Sequence, residues 1–226
     1  SRDSFWTWRE VMYRFVGQLD PDQFEAVAAM AFTEMLESGF TRVGEFHYLH
    51  HDKDGVAYAD RGEMAARVAA AAQQIGIGLT LLPVLYAHSG FGGLPPNPGQ
   101  KRFIHGIDEF ALLLDASRKA VVSLDDAIVG VAPHSLRAVT ADELKQVALL
   151  AGDAPIHIHI AEQMKEVEDC VAWCGRRPVQ FLLDTGLVNA RWCLVHATHS
   201  DGAELEAIAK SSAVVGLCPI TEANLG

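Results

Sequence analysis

Hydrophobic positions in this chain switch repeatedly between a helical period and short, dense apolar runs. Phe5 to Val16 carries aromatics at helical spacing. Asp20-Pro21 reads as an N-cap followed by proline at the first helical position, opening a helix to about Ser38 that Gly39 ends. Thr41 to Tyr48 reads as a short strand, and an alanine-rich helix spans Arg61 to Ile75. Ile77 to Tyr86 is almost continuously apolar, the pattern of a parallel strand buried on both faces. A helix over Ile107 to Ser117 and a strand over Ala127 to Ala132 follow. Thr140-Ala141-Asp142-Glu143 is a capping box, opening a helix that ends at Gly152. Beyond it the pattern predicts a strand at Ile156 to Ile160, helices at Gln163 to Trp173 and Val179 to Thr185, and a strand at Trp192 to Val195. A helix at Asp201 to Lys210 and a last strand at Ala213 to Cys218 complete the series.

Strands that alternate with helices in this way imply βα units and a parallel sheet. An open doubly wound sheet and a closed barrel both fit that alternation. No Gly-x-Gly-x-x-Gly or phosphate-binding loop follows the first strand, which removes the usual mark of the open form. Polar groups sit instead at the ends of nearly all the strands: His47 and Tyr48, Tyr86 and His88, His134 and Arg137, His159 and Glu162, His196 and His199, and Glu222. Open sheets gather their sites at one switch point, whereas barrels draw on many strand ends. The expected fold is therefore a (β/α)8 TIM-type barrel. The stretch from Ala87 to Phe103, rich in glycine and proline, reads as an irregular active-site cover. No repeat or linker divides the chain.

Composition narrows the partners. The 226 residues are half hydrophobic, enough for a substantial core, and the net charge is −11. Lys and Arg never run beyond two in a row, which argues against nucleic acid, while one or two arginines still suffice for a small anionic substrate. No apolar run is long enough to span a membrane, and the first residues do not read as a signal peptide. The four cysteines lack disulfide or zinc-finger spacing and read as reduced thiols of a cytoplasmic protein. The oligomeric state is left open, a homodimer included.

The candidate chemistry centres on His157-Ile158-His159-Ile160-Ala161-Glu162, where a buried strand runs into a helix. A neutral imidazole at His159 suits a divalent metal, and Glu162 is placed to move a proton to a leaving nitrogen. Alone, His159 would read as a packed histidine and Glu162 as a first-turn helix carboxylate; the company of other polar strand ends favours chemistry. His157, two residues earlier on the same face, reads as a packing group behind His159. His196 can support developing charge at an attacked carbon. Arg137 at a strand end is a natural clamp for a carboxylate, against the plainer reading of a surface ion pair. Tyr48 could bind substrate or simply pack. His199 reads as a helix-start group, and His50-His51-Asp52 as a loop feature, since adjacent residues seldom chelate together.

These segments resemble the amidohydrolase superfamily of metal-dependent TIM-barrel hydrolases, and within it the deiminases of N-formimino-L-glutamate. The likeness is carried by Glu45 to His51, Gly130-Val131-Ala132-Pro133-His134-Ser135-Leu136-Arg137, His159-Ile160-Ala161-Glu162-Gln163, Val195 to His199, and Gly216 to Gly226. It implies a zinc ligand at His159, with iron or manganese as alternatives. It further implies proton transfer by Glu162, support of the tetrahedral centre by His196, and substrate binding by Tyr48, His134 and Arg137. The implied reaction converts N-formimino-L-glutamate to N-formyl-L-glutamate and ammonia. The family also uses a His-x-His on its first barrel strand and an aspartate on its eighth; here the sole His-x-His is His157 to His159. The chain is therefore expected to be an internal, incomplete barrel without the family's small β domain, one that binds zinc weakly and turns over little. Two other readings stay open: a deaminase of guanine, cytosine or an adenosine derivative, and a barrel remnant without chemistry.

Overall fold

The computed structural model describes residues 5–225, with side chains placed for residues 11–224. They form two compact units, residues 5–85 with 97–131 and residues 86–96 with 132–225.

In the first unit, α1 (Phe5–Val16) and α2 (Pro21–Glu37) precede β1 (Arg42–His47), α3 (Glu63–Ile75), β2 (Gly78–Leu85), α4 (Ile107–Ala120) and β3 (Ala127–Val129). The order in the sheet is β1-β2-β3, all parallel, with Phe46 opposite Leu82 and Leu81 opposite Val129. Asp20 caps α2 as expected: its side chain accepts from Gln23 N–H at 2.8 Å, and Gln23 reaches back to its backbone. All eight residues of β2 are buried, as its unbroken apolar run predicts. The α3 alanines permit close approach of that helix. Ala65, Ala69 and Ala72 join Phe32, Val43, Leu79 and Leu81 in one core cluster. At roughly 25 cal/mol per Å² of apolar surface removed from water, such burial is the main force holding the sheet to its helices.

In the second unit, β4 (Ala132–Pro133), α5 (Ala141–Leu150), β5 (Ile156–Ile160), α6 (Met164–Cys174) and α7 (Pro178–Asp184) lead to β6 (Trp192–His196), α8 (Gly202–Ser211), β7 (Val214–Gly216) and α9 (Pro219–Leu225). The order β5-β6-β7 is again parallel, with His159 opposite Val195 and Ile160 opposite His196. Ile156, Ile158 and Ile160 are fully buried, so the strand's period of two turns His157 and His159 to its other face.

Three expectations are corrected. The strand read over Ala127 to Ala132 is split between β3 and β4. Glu222, read as a strand end, lies on the short helix α9. The loop after β2 is not wholly irregular, because residues 98–100 form a 3-10 turn closed by an Asn97–Gln100 capping box. Its first half is pinned: Phe91 stacks on Trp173 at 5.6 Å between ring centroids, and Gly92 has φ +77 with room for no Cβ beside Trp173 Nε1.

Candidate active site

Five of the six predicted site residues fall in the second unit, at or just beyond the ends of β4, β5 and β6. His159 is the best defined. Its backbone N–H donates to the carbonyl of His134 at 3.0 Å, and its Nδ1 lies 3.1 Å from the same oxygen. A carbonyl only accepts, so Nδ1 carries the proton and Nε2 keeps its lone pair. That is the tautomer of a histidine prepared to bind a metal through Nε2. Burial above all, then the neighbouring His196, pulls this imidazole down to about 3 and so keeps it neutral.

His196 stacks against His159 with centroids 5.7 Å apart and planes at 23°. It ends β6 in a left-handed backbone, φ 74, followed by Ala197 at φ 50. Such conformations are costly for residues other than glycine, and here they turn the strand end and carry the His196 ring with it. Its Nδ1 lies 3.2 Å from Glu222 Oε1, and its Nε2 lies 3.6 Å from Glu162 Oε1. The histidine thus stands between two carboxylates. The nearer, Glu222, also accepts the Cys218 N–H at 2.8 Å and holds the Nδ1 proton of His196.

Glu162 is only 7% exposed and follows Ala161, itself at φ 50. The strained turn is held from below by Glu166. One carboxylate oxygen accepts the Ala161 N–H at 3.1 Å and the other the Glu162 N–H at 3.3 Å. Glu166 is buried, which pushes its carboxyl up, while Arg137 and the two N–H donors pull it down. Its part was missed in the sequence, yet a signal existed. Gln163 is the N-cap of α6, so Glu166 occupies the third helical position, from which a glutamate can reach back to preceding N–H groups.

His134 packs 4.5 Å from Tyr86 and 5.0 Å from His159 by ring centroids. Arg137 is partly buried, and its Nε is buried without a hydrogen-bond partner among the described residues. The buried Glu166 carboxylate lies within electrostatic reach of its guanidinium. Tyr48 belongs to the first unit, where its ring meets Phe103 edge-on at 5.1 Å. His157 is partly buried, and His199 donates its backbone N–H to Ala161 at 3.0 Å, tying the β5 and β6 turns together.

His159 fits a metal by tautomer, charge and position. A catalytic zinc takes three protein ligands, however, and among the described residues no group of three potential ligands includes His159. It can supply one ligand.

The whole chain, residues 1–226, matches the model of the Amidohydrolase family. The chain belongs to this family, whose fold is a TIM-type barrel. It is 56% identical over 226 residues to a formimidoylglutamate deiminase of Pseudomonas aeruginosa, a match that covers 99% of this chain and 49% of that protein. The crystal structure of an amidohydrolase from Brucella melitensis superposes with a TM-score of 0.96 at 61% identity, over 99% of this chain and 50% of that one. A zinc-bound adenosine deaminase from Xanthomonas campestris shares the fold, with a TM-score of 0.80 at 24% identity, over 100% of this chain and 46% of its own. The chain thus spans about half the length of the relatives it matches.

Proposed function

We propose that this chain carries part of the catalytic barrel of a metal-dependent deiminase that converts N-formimino-L-glutamate to N-formyl-L-glutamate and ammonia. The observation that carries this reading is the set His159, Glu162 and His196: a histidine with a free Nε2, a buried carboxylate and a second imidazole, gathered on adjacent parallel strands. Identity to the P. aeruginosa deiminase supports the choice of substrate.

In this reading His159 is one ligand of a divalent metal, zinc first and iron or manganese as alternatives. The other ligands are the first-strand His-x-His and eighth-strand Asp of the family pattern, outside this stretch. The chain itself is then a partial barrel. When bound, the metal lowers the pKa of water and polarises the amidine. Glu162 accepts the two protons of the attacking water in turn and delivers them to the departing imino nitrogen, which leaves as ammonia while the carbon keeps the oxygen as a formyl group. His196, its Nδ1 proton on Glu222, is left with an Nε2 lone pair that orients the attacking water. Arg137 and His134 hold the glutamate portion of the substrate. An arginine clamp is of use to a dicarboxylate and of little use to guanine, cytosine or an adenosine derivative, which is why the deiminase is preferred to other family deaminases.

The test is a substrate panel on the full-length, zinc-loaded protein with Arg137→Met beside it. N-formimino-L-glutamate should be turned over well ahead of the neutral bases. Arg137→Met should raise KM by about ten- to a hundredfold, the loss of 1.5–3 kcal/mol of charge-assisted binding, with a smaller change in kcat. Preference for a neutral base, or an unchanged KM, contradicts the reading.

A further inference from the structure

We propose that His196, Cys218 and Glu222 form a second, inhibitory binding site for a thiophilic divalent cation, zinc foremost. Their potential ligand atoms lie within 4.8 Å of one another. The distance from His196 Nδ1 to Glu222 Oε1 is 3.2 Å. A tetrahedral zinc with bonds of about 2.0–2.1 Å spaces a nitrogen and an oxygen ligand by about 3.3 Å, so this edge is already set. Cys218 is partly exposed, and its Sγ completes the group of three ligand atoms, with a thiolate as the third donor to zinc. The backbone supports the arrangement. Cys218 N–H donates to the Glu222 carboxylate at 2.8 Å, and Glu222 N–H donates to the Cys218 carbonyl at 2.9 Å, so two ligands four residues apart are held on one closed turn. A mixed sulfur, nitrogen and oxygen set favours zinc over magnesium or calcium.

Occupancy changes the proton inventory in a defined way. Without the cation, the His196 Nδ1 proton rests on Glu222. With it, Cys218 binds as the thiolate, its proton lost to solvent, and Nδ1 of His196 becomes a ligand, which leaves the ring N–H on Nε2. The Nε2–H then faces Glu162 Oε1, 3.6 Å away, and engages the carboxylate that should receive the proton of water. Turnover therefore falls as this second site fills. The effect on turnover rests on the deiminase reading; the binding does not.

The experiment uses the full-length protein loaded with its first metal and titrated with Cd2+, read by the thiolate-to-metal charge-transfer absorption in the ultraviolet. One added equivalent should saturate a band that Cys218→Ser abolishes and Glu222→Gln weakens. In parallel, excess Zn2+ should lower turnover several-fold in the parent protein and leave Cys218→Ser, whose basal turnover is intact, unaffected. The absence of a band overturns the site, as does a band that survives Cys218→Ser and so belongs to Cys170, Cys174 or Cys193. A band without inhibition by excess zinc overturns the inhibitory role. If the substrate is not turned over at all, the deiminase reading fails while the absorption still reports the site.

Discussion

At the scale of single residues, the site is built as much by groups that hold backbone as by groups that face a substrate. His159 owes its tautomer to one carbonyl, and Glu162 owes its position to two N–H groups held by Glu166. Hydrogen bonds to a charged partner are worth about 1.5–3 kcal/mol each, and the buried N–H groups they satisfy are costly to leave unmade. Glu166→Ala should therefore lower the unfolding free energy by about 2 kcal/mol in a urea titration. In the full-length protein it should lower kcat at least tenfold with metal content unchanged. Glu166→Gln, which keeps an acceptor, should recover part of both. A full loss of metal in Glu166→Ala would contradict its assignment to the Glu162 turn. The placement of His159, Glu162, His196 and Arg137 at or just beyond strand ends was legible in the sequence from the apolar runs that precede them. Glu166 was not, since a first-turn helix glutamate looks the same whether it faces solvent or reaches back beneath a strained turn.

At the scale of elements, the hydrophobic period located most of the helices and strands. β2 is the clearest case, because an apolar run buried on both faces leaves little room for another reading. The pattern gave way where packing rather than local preference decides. β3 stops at Val129 although Gly130 still donates to Leu81 at 2.9 Å, and α9 forms where the sequence resembled an extended strand end. Long-range pairing also escaped it. His47, His50 and His51 come together with His105 in the first unit, with ring centroids 4.5–4.9 Å apart and all four side chains buried. His105 is too distant along the chain for spacing to betray the cluster.

That cluster predicts a pH dependence for the first unit. Burial lowers His47 to about 4 and His105 to about 3, and lowers His50 well below the usual range. These groups stay neutral in the fold, while in the unfolded chain they take up protons as pH falls through about 6.5. The unfolded state then binds more protons, so stability falls with falling pH from about 6.5 towards 4. Glu45 acts in the opposite sense, because burial raises its carboxyl to about 7, but it is one group against three. His47 alone should withdraw on the order of 2 kcal/mol by pH 5. Hydrogen exchange of β1 and β2 at pH 7 and pH 5 should show the loss, and His105→Gln should reduce its slope. Equal protection at both values would contradict a neutral cluster.

At the scale of the whole molecule, the alternation of strands and helices disclosed a parallel α/β protein, and the two parallel sheets bear that out. The choice of a barrel over an open sheet rests on the polar strand ends and agrees with the TIM-type fold of the family, while the described strand pairs form two parallel sheets. None of the described helices is long and apolar enough to cross a membrane. His159 is prepared, but a single prepared ligand binds zinc far more weakly than three. Dialysis of the Cys218→Ser form of this 226-residue chain, which lacks the second site, should therefore leave well under one equivalent of zinc bound. Stoichiometric retention would mean that the ligand set is complete within it.

The most direct test of the central claim is ammonia release from N-formimino-L-glutamate by the full-length protein, assayed with zinc, after chelation, and with His159→Ala. Turnover that needs the metal and disappears in His159→Ala is the predicted result. Turnover that survives either chelation or the substitution, or none in the intact zinc-loaded protein, would contradict it.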